Sequence, residues 1–328
     1  MPRPIRWGLV GCGDIAEKRV VTAIQSAAHS ELLACTRKNP DLLKEFQSRH
    51  SISRGYATYL ELLADADIDA VYLATPVFLH CSQTIEAARH GKHVLCEKPM
   101  AMDATECRRM IEACRECRVR LGVAYYRRFY PVILKIRDLL ADGGIGDPIL
   151  ARSTLVEHTS LQSSAWRFHP GQGGGGLLMD MASHRLDVLI SLFGAVKSVS
   201  ATVDTRKLPI PVEDTGSLLI RFANGVQALT FASHCIRHPM DDFEIFGTEG
   251  ILRASPLNGP ELQVVRGETE VLHLPKADNV HLPLVEDFNH AIRAECEPRA
   301  AGTDGMQTSL LLDAAYESAR SGRVIRFD

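Results

Sequence analysis

Along the first 125 residues, short apolar runs alternate with longer stretches whose apolar residues recur at helical spacing. Residues 5–10 form an apolar strand, followed by a glycine turn and a helical pattern from about 15 to 27. Residues 32–36 read as a second strand, and Pro40 opens a helix rich in Leu, Lys and Glu. Residues 69–75 read as a buried strand, 82–90 as a helix and 93–96 as a strand. A helix capped by Asp103 runs to about residue 117, and a strand covers 120–125. Strands separated by single helices predict a parallel sheet with right-handed crossovers, the α/β architecture of a Rossmann domain, over residues 1–125.

The rhythm then changes. A helix is predicted over 132–140, and the stretch 143–148, with three glycines and a proline, breaks the chain. Beyond it come strand-like runs at 149–158, 196–203, 217–222, 226–234 and 243–246, with an Asn224-Gly225 hairpin turn between two of them. Helices are predicted over 177–193, 284–295 and 308–320. The pattern predicts an α+β domain with an open, mostly antiparallel sheet over residues 126–328.

With 328 residues, 45% of them hydrophobic, the chain can bury two ordinary cores. Its 37 basic and 40 acidic residues leave a net charge of -3, which provides no field for nucleic acid or an anionic membrane. The expected partner is therefore a small molecule. Nine scattered cysteines suit a reducing compartment. Without an apolar leader or a membrane-length apolar run, the sequence reads as cytoplasmic.

Gly11-Cys12-Gly13-Asp14-Ile15-Ala16 follows the first strand and opens a helix. The first glycine permits the tight turn, the second lets the backbone approach a pyrophosphate, and Ala16 lets helix and strand pack closely. The phosphates would sit against the free amides of the helix start. At the end of the second strand, where an acid would bind the ribose 2′-hydroxyl, stand Thr36, Arg37 and Lys38, with no acid before Asp41. Thr36 can donate a hydrogen bond, and the two cations can neutralise a 2′-phosphate. The expected cofactor is NADP, with NAD as the alternative.

Two segments carry candidate chemistry. Glu97-Lys98-Pro99 follows a strand of the parallel sheet, where ligands of such sheets bind. A lysine there can hydrogen-bond an oxygen that changes between alcohol and carbonyl, although a strand-end lysine is by itself more often a surface charge. The second segment runs from Gly173 to Asp187. Asp180 and His184, four residues apart, share a helix face, and an imidazole suits proton exchange with an alcohol. The glycines are expected to free the helix start for a ligand. No metal is expected: Asp180 and His184 lack a third ligand, and Cys114-x-x-Cys117 has no second pair. Arg118, Arg120, Arg127 and Arg128 read as a solvated boundary face. His158, His169, His234 and His238 are not separable by sequence.

Together these segments resemble the glucose–fructose oxidoreductase, inositol dehydrogenase and rhizopine-catabolism family, Gfo/Idh/MocA. The likeness spans nearly the whole chain, through Gly11-x-Gly13-x-x-Ala16, Ala74-Thr75-Pro76-x-x-x-His80, Gly91-Lys92-His93-Val94-Leu95-Cys96-Glu97-Lys98-Pro99, Arg128-Phe129-x-Pro131, the block with Asp180, His184 and Asp187, and Phe246-Gly247-Thr248-x-Gly250. It departs at Val77, where the family commonly has Asn.

The resemblance implies that Lys98, Asp180 and His184 meet around the substrate and the nicotinamide, with His184 as acid/base, Lys98 polarising the substrate oxygen and Asp180 orienting the substrate or the lysine. Asp187 is expected to be a structural helix partner. Cofactor contacts are expected from Gly11, Gly13, Asp14, Ile15, Thr36, Arg37, Lys38, Thr75, Pro76, His80, Glu97 and Lys98. Tyr126, Trp166 and Arg167 join Lys98, Asp180 and His184 as substrate-binding candidates. The implied activity is an NADP-dependent oxidoreductase moving hydride to or from a ring hydroxyl or ketone of a sugar, polyol or related cyclic substrate. A homodimer or homotetramer is implied by the open sheet. The alternatives are a transient-redox enzyme that keeps its cofactor during epimerisation, elimination or glycoside cleavage, and a non-catalytic dinucleotide or sugar sensor.

Overall fold

The structure is a computed structural model that describes residues 3–158 and 166–327. The chain divides into two compact units: residues up to Tyr126 together with Asp278–Met306, and Arg127–Ala277 together with Gln307–Asp328.

Among the described residues, the first unit holds six parallel strands: β1 (Ile5–Val10), β2 (Ser30–Thr36), β3 (Arg54–Tyr56), β4 (Ala70–Leu73), β5 (His93–Cys96) and β6 (Leu121–Val123), in the order β3-β2-β1-β4-β5-β6. β4 is buried along its whole length and β1 and β5 almost so, which explains their unbroken apolar runs: crossover helices cover both faces of a parallel sheet. The intervening helices start on side-chain caps, Asn39 before Pro40–His50 and Asp103 before Ala104–Glu116. The periodicity did not predict β3 or the short helix Tyr59–Ala64, because each is too short to show a period. The Thr58–Glu61 capping box was a readable signal for that helix.

Residues 278–306, placed by the sequence reading in the second domain, pack in the first unit. Their helix Leu282–Arg293 brings Phe288 to 5.7 Å from the ring of Trp7 on β1, and Trp7 Nε1 donates to Asn289 Oδ1 at 3.1 Å. Gly122 on β6 leaves the space that Phe288 fills, since a Cβ there would lie 2.9 Å from that ring. Such long-range packing leaves no local periodicity to read.

The second unit holds a nine-stranded sheet among the described residues: β7 (Pro148–His158), β8 (Val196–Asp204), β9 (Thr215–Phe222), β10 (Gln227–Ser233), β11 (Cys235–Gly247), β12 (Ile251–Ala254), β13 (Glu261–Arg266), β14 (Glu268–His273) and β15 (Ile325–Arg326). Its order is β14-β13-β12-β11-β7-β10-β9-β8-β15, antiparallel throughout except for β7 beside β10. Strict alternation of buried and exposed positions in β9 marks a sheet covered on one side. The covered side meets helix Ser183–Phe193, whose Phe193 stacks at 5.4 Å on Phe222. The other side carries one row in register across five strands, Leu219, Leu229, Arg152, Glu244 and Arg253. Leu219 and Leu229 are exposed, and Glu244 takes ion pairs from both arginines.

The arginines at residues 118–128 are not one solvated face. Arg128 forks onto Asp187 with bonds of 2.7–3.0 Å, and that aspartate is wholly buried, so the pair ties helix Ser183–Phe193 to the start of the unit. Arg127 is buried and donates to Asn258 at 2.7 Å. Charge alone does not reveal burial when the partner lies about sixty residues away.

Candidate functional site

Four strands of the first sheet end on one rung: Thr36 on β2 pairs with Val10 on β1, Val10 with Leu73 on β4, and Leu73 with Cys96 on β5. The residues that follow are the predicted ones: Gly11 after β1, Arg37 after β2, Thr75 after β4, and Glu97-Lys98 after β5. The chain order reverses between β1 and β4, and the crevice at such a reversal is where open parallel sheets hold ligands.

Gly11 has φ +94°, and a Cβ there would sit 2.6 Å from the carbonyl oxygen of Ala74, so the fold itself requires glycine. Gly13 differs. Its φ is not positive, and nothing lies within 4 Å of the position a Cβ would take. Residues 14–26 then run as a helix whose stretch Ala16–Val20 is π-wound, and Ala16 is fully buried against the sheet. Asp14 is exposed and pairs with Lys18 at 2.9 Å, while Ile15 is half-buried. At the end of β2, Thr36 is buried, Arg37 half-buried and Lys38 exposed.

Thr75 and Pro76 are half-exposed, and Thr75 Oγ1 donates to Gln83 Oε1 at 2.6 Å. His80, expected at the cofactor, is buried. Its Nδ1 lies 3.0 Å from the carbonyl oxygen of Pro99 and its Nε2 2.8 Å from that of Thr75. Each ring nitrogen faces a backbone carbonyl, one of which the single N–H of the neutral ring can bond, and His80 lies between the loop after β4 and the loop after β5.

Glu97 also turns inward. Its carboxylate accepts Tyr72 Oη at 2.7 Å and the Lys98 amide at 3.1 Å, and faces His281 Nε2 at 3.4 Å. Burial pushes the Glu97 carboxyl up, but the His281 hydrogen bond and charge, the Tyr72 hydroxyl and the Lys98 charge outweigh it and hold it below its ordinary value. Lys98, which follows this buried anion, is half-exposed. Tyr126 is buried, 4.5 Å from the His281 ring and beneath the Arg19 guanidinium at 5.6 Å. Glu97 and His80 are both engaged by groups of the fold itself.

In the second unit, Asp180 lies in a π-wound stretch, Leu178–Ala182, that runs into helix Ser183–Phe193 carrying His184. His184 is 3% exposed, whereas the Asp180 side chain keeps 27% and faces Arg167 at 3.9 Å. Arg167 in turn lies over the ring of Trp166 at 5.9 Å, so Trp166, Arg167 and Asp180 form one exposed group. His234, left open by the sequence, is buried, while His158, His169 and His238 are exposed. Burial pulls its imidazole below the ordinary value, against the Asp180 charge that favours protonation.

The glycine run does not open the helix start to a ligand. Glu213 accepts the Gly176 amide at 2.9 Å and the Leu178 amide at 2.9 Å through its carboxylate, and the Leu177 amide at 3.1 Å through its carbonyl. Tyr316 Oη also donates to that carboxylate at 2.8 Å. A Cβ on Gly173, Gly175 or Gly176 would lie 2.4, 2.2 or 2.2 Å from Arg167 O, Tyr316 Oη or Glu213 O. These glycines admit the protein's own groups. Glu213 was missed because its 35-residue separation from the turn leaves no local signal.

The strand order, the aligned strand ends and the unfilled space at Gly13 define a Rossmann dinucleotide-binding protein of two units, and the residues present fit the diphosphate of such a cofactor. The comparisons agree. Residues 5–125 match an oxidoreductase family with an NAD-binding Rossmann fold, and residues 133–253 match the GFO/IDH/MocA C-terminal domain. A 1,5-anhydro-D-fructose reductase of Ensifer adhaerens is 30% identical over 98% of this chain and 98% of its own. Levoglucosan dehydrogenase in complex with NADH and levoglucosan superposes with a TM-score of 0.91 at 26% identity, covering 99% of both chains. The WlbA dehydrogenase of Bordetella pertussis with NADH and UDP-GlcNAcA superposes at 0.87 and 28% identity, over 99% of this chain and 98% of its own. The chain belongs to the Gfo/Idh/MocA oxidoreductase family. Among the described residues, no helix is long and apolar enough to cross a membrane.

Proposed function

We propose that the protein is an NADP-dependent oxidoreductase that moves hydride to or from a ring hydroxyl or ketone of a sugar, polyol or related cyclic substrate. The observation that carries this reading is the single rung on which β2, β1, β4 and β5 end, with open space at Gly13. The names of the relatives support the substrate class. Four of the similar structures hold NADH. The choice of NADP rests instead on this chain's Arg37 and Lys38, two cations where an acid would select NAD.

When bound, the nicotinamide supplies the hydride acceptor or donor. The amides after Gly11 and Gly13, with Asp14 and Ile15 at the helix start, hold the diphosphate, and Thr36, Arg37 and Lys38 hold the ribose phosphate. Thr75 and Pro76 border the nicotinamide side. Lys98 hydrogen-bonds the reacting oxygen and stabilises its charge, His184 exchanges its proton, and Asp180, steadied by Arg167, orients the substrate beside Trp166. The open sheet face with Leu219 and Leu229 is the contact between copies in a homodimer or homotetramer, and nine free thiols support a cytoplasmic setting.

A panel of sugars, polyols and their keto forms, with NADP and NAD, tests the reading through the absorbance of reduced nicotinamide. Lys98→Ala should lower turnover by about 10²–10⁴-fold with cofactor affinity retained. Wild-type turnover in that variant removes Lys98 from the mechanism. Cofactor that copurifies and shows no net absorbance change during turnover would instead support transient redox.

A further inference from the structure

Arg127 opens the second unit and is 6% exposed. A guanidinium taken out of water normally meets a carboxylate, because its lost hydration is otherwise uncompensated. Its neighbour Arg128 follows that rule with Asp187. Arg127 does not. Among the described residues it forms no ion pair, and its Nε is buried without a partner. Its one side-chain hydrogen bond there, from Nη1, goes to the amide oxygen of Asn258 at 2.7 Å. The ring of Tyr130, 6.0 Å from the guanidinium carbon, is likewise neutral.

This arginine lines a cavity of about 370 Å³ within the second unit, a volume that suits a small molecule. The walls come from residues 155–157 of β7, residues 239–242 of β11 and the loop after β12 with Ser255 and Asn258. Among the described residues, none of Asp180, His184, Trp166 or Arg167 lines it. Three acids do. Asp241 is neutralised by an ion pair with Arg185. Asp242 takes the Ser255 hydroxyl at 2.6 Å, and Glu157 has no ion pair among the described residues.

One uncompensated cation thus shares the cavity with two uncompensated carboxylates. A dianionic phosphate would gain at the arginine and lose to both acids, and a bare small anion would leave the acids without donors. A monocarboxylate carrying hydroxyls satisfies every group. Its carboxylate takes the remaining guanidinium donors, and its hydroxyls donate to the acids.

We propose that this cavity binds a hydroxylated monocarboxylate, a sugar acid, with Arg127 holding the carboxylate and Asp242 and Glu157 accepting hydroxyls. The assignment does not depend on the dinucleotide reading, since no residue of that turn takes part. Through Asp241 and its partner Arg185, the cavity wall is joined to helix Ser183–Phe193, on which Arg185 directly follows His184.

The test uses the full chain without cofactor and titrates it by calorimetry with gluconate, and separately with sorbitol, acetate and inorganic phosphate. Gluconate should bind saturably and at least about tenfold more tightly than each of the other three. Hydrogen exchange should slow at residues 240–242 and 255–258 when gluconate is present. Arg127→Gln, which keeps a donor for Asn258, should weaken gluconate at least about tenfold. Asp242→Asn should bind phosphate more tightly than wild type, because one repelling charge is gone. Should Arg127→Gln fail to fold, the exchange map and the phosphate gain still decide the matter. Gluconate no tighter than sorbitol or acetate overturns the proposal, as does wild-type affinity in Arg127→Gln. Protection confined to the segment of Asp180 and His184 overturns it too.

Discussion

The chain contains two glycine-rich turns, each leading into a partly π-wound helix: residues 11–13 in the first unit and 173–176 in the second. On paper they look alike. In the first, no part of the chain lies within 4 Å of the place a Cβ on Gly13 would take. In the second, the amides of Gly176, Leu177 and Leu178 are taken by Glu213, and the space a Cβ would need is filled by Arg167, Tyr316 and Glu213. A glycine run thus signals close approach without saying what approaches. At Gly11 and at residues 173, 175 and 176 what approaches is the chain itself.

The largest expected effect comes from the closed turn. Gly176→Ala sets a Cβ 2.2 Å from the backbone oxygen of Glu213, which cannot rotate away. It should cost about 3 kcal/mol or more in denaturant unfolding. A loss below about 1 kcal/mol would mean the turn is looser than its geometry indicates.

Next to Glu213, buried Asp214 closes its own loop by accepting the amides of Arg206, Lys207 and Leu208 at 2.8–2.9 Å. Burial pushes its carboxyl up, but those amide bonds prevail and hold it at about 2. A folded-state value below the unfolded one of about 4 means the stabilisation is present above that pH and lost as pH falls toward the folded value. Asp214→Asn should remove about 2 kcal/mol at neutral pH and flatten the acid limb of the stability curve. An acid limb identical to wild type would show that another group controls it.

The open turn should behave in the opposite sense. Gly13→Ala should leave stability within about 0.5 kcal/mol, because its Cβ meets nothing, while weakening cofactor binding about tenfold or more. Loss of stability with cofactor affinity intact would reverse the comparison.

The smallest effect concerns the neighbouring cations. Arg37→Ala should weaken NADP about tenfold and leave NAD nearly untouched, read by titration of each. Equal losses for both would withdraw the 2′-phosphate assignment.

Much of the architecture was legible because it has local causes. The buried strands of the first sheet are continuous apolar runs, β9 alternates strictly, and Asn39 and Asp103 cap helices where their side chains dictate. The candidate site was legible where a motif follows a strand, as at residues 11–13, 36–38 and 97–98. The internal partners of His80 and Glu97 were not legible, because Tyr72, His281 and the Pro99 carbonyl reach them from other segments.

By itself, the sequence determined most of the longer elements, the parallel and antiparallel character of the two sheets, and the glycine turn after the first strand, since periodicity, caps and glycine spacing act within a few residues. Only the tertiary structure decided which polar groups remain available. Tyr72 and His281 claim Glu97, two backbone carbonyls face His80, Glu213 closes one glycine turn, and residues 278–306 return to the first unit on Trp7. Each depends on a partner distant in the chain or on a backbone group, and burial makes satisfying that partner outweigh any role the residue type suggests alone.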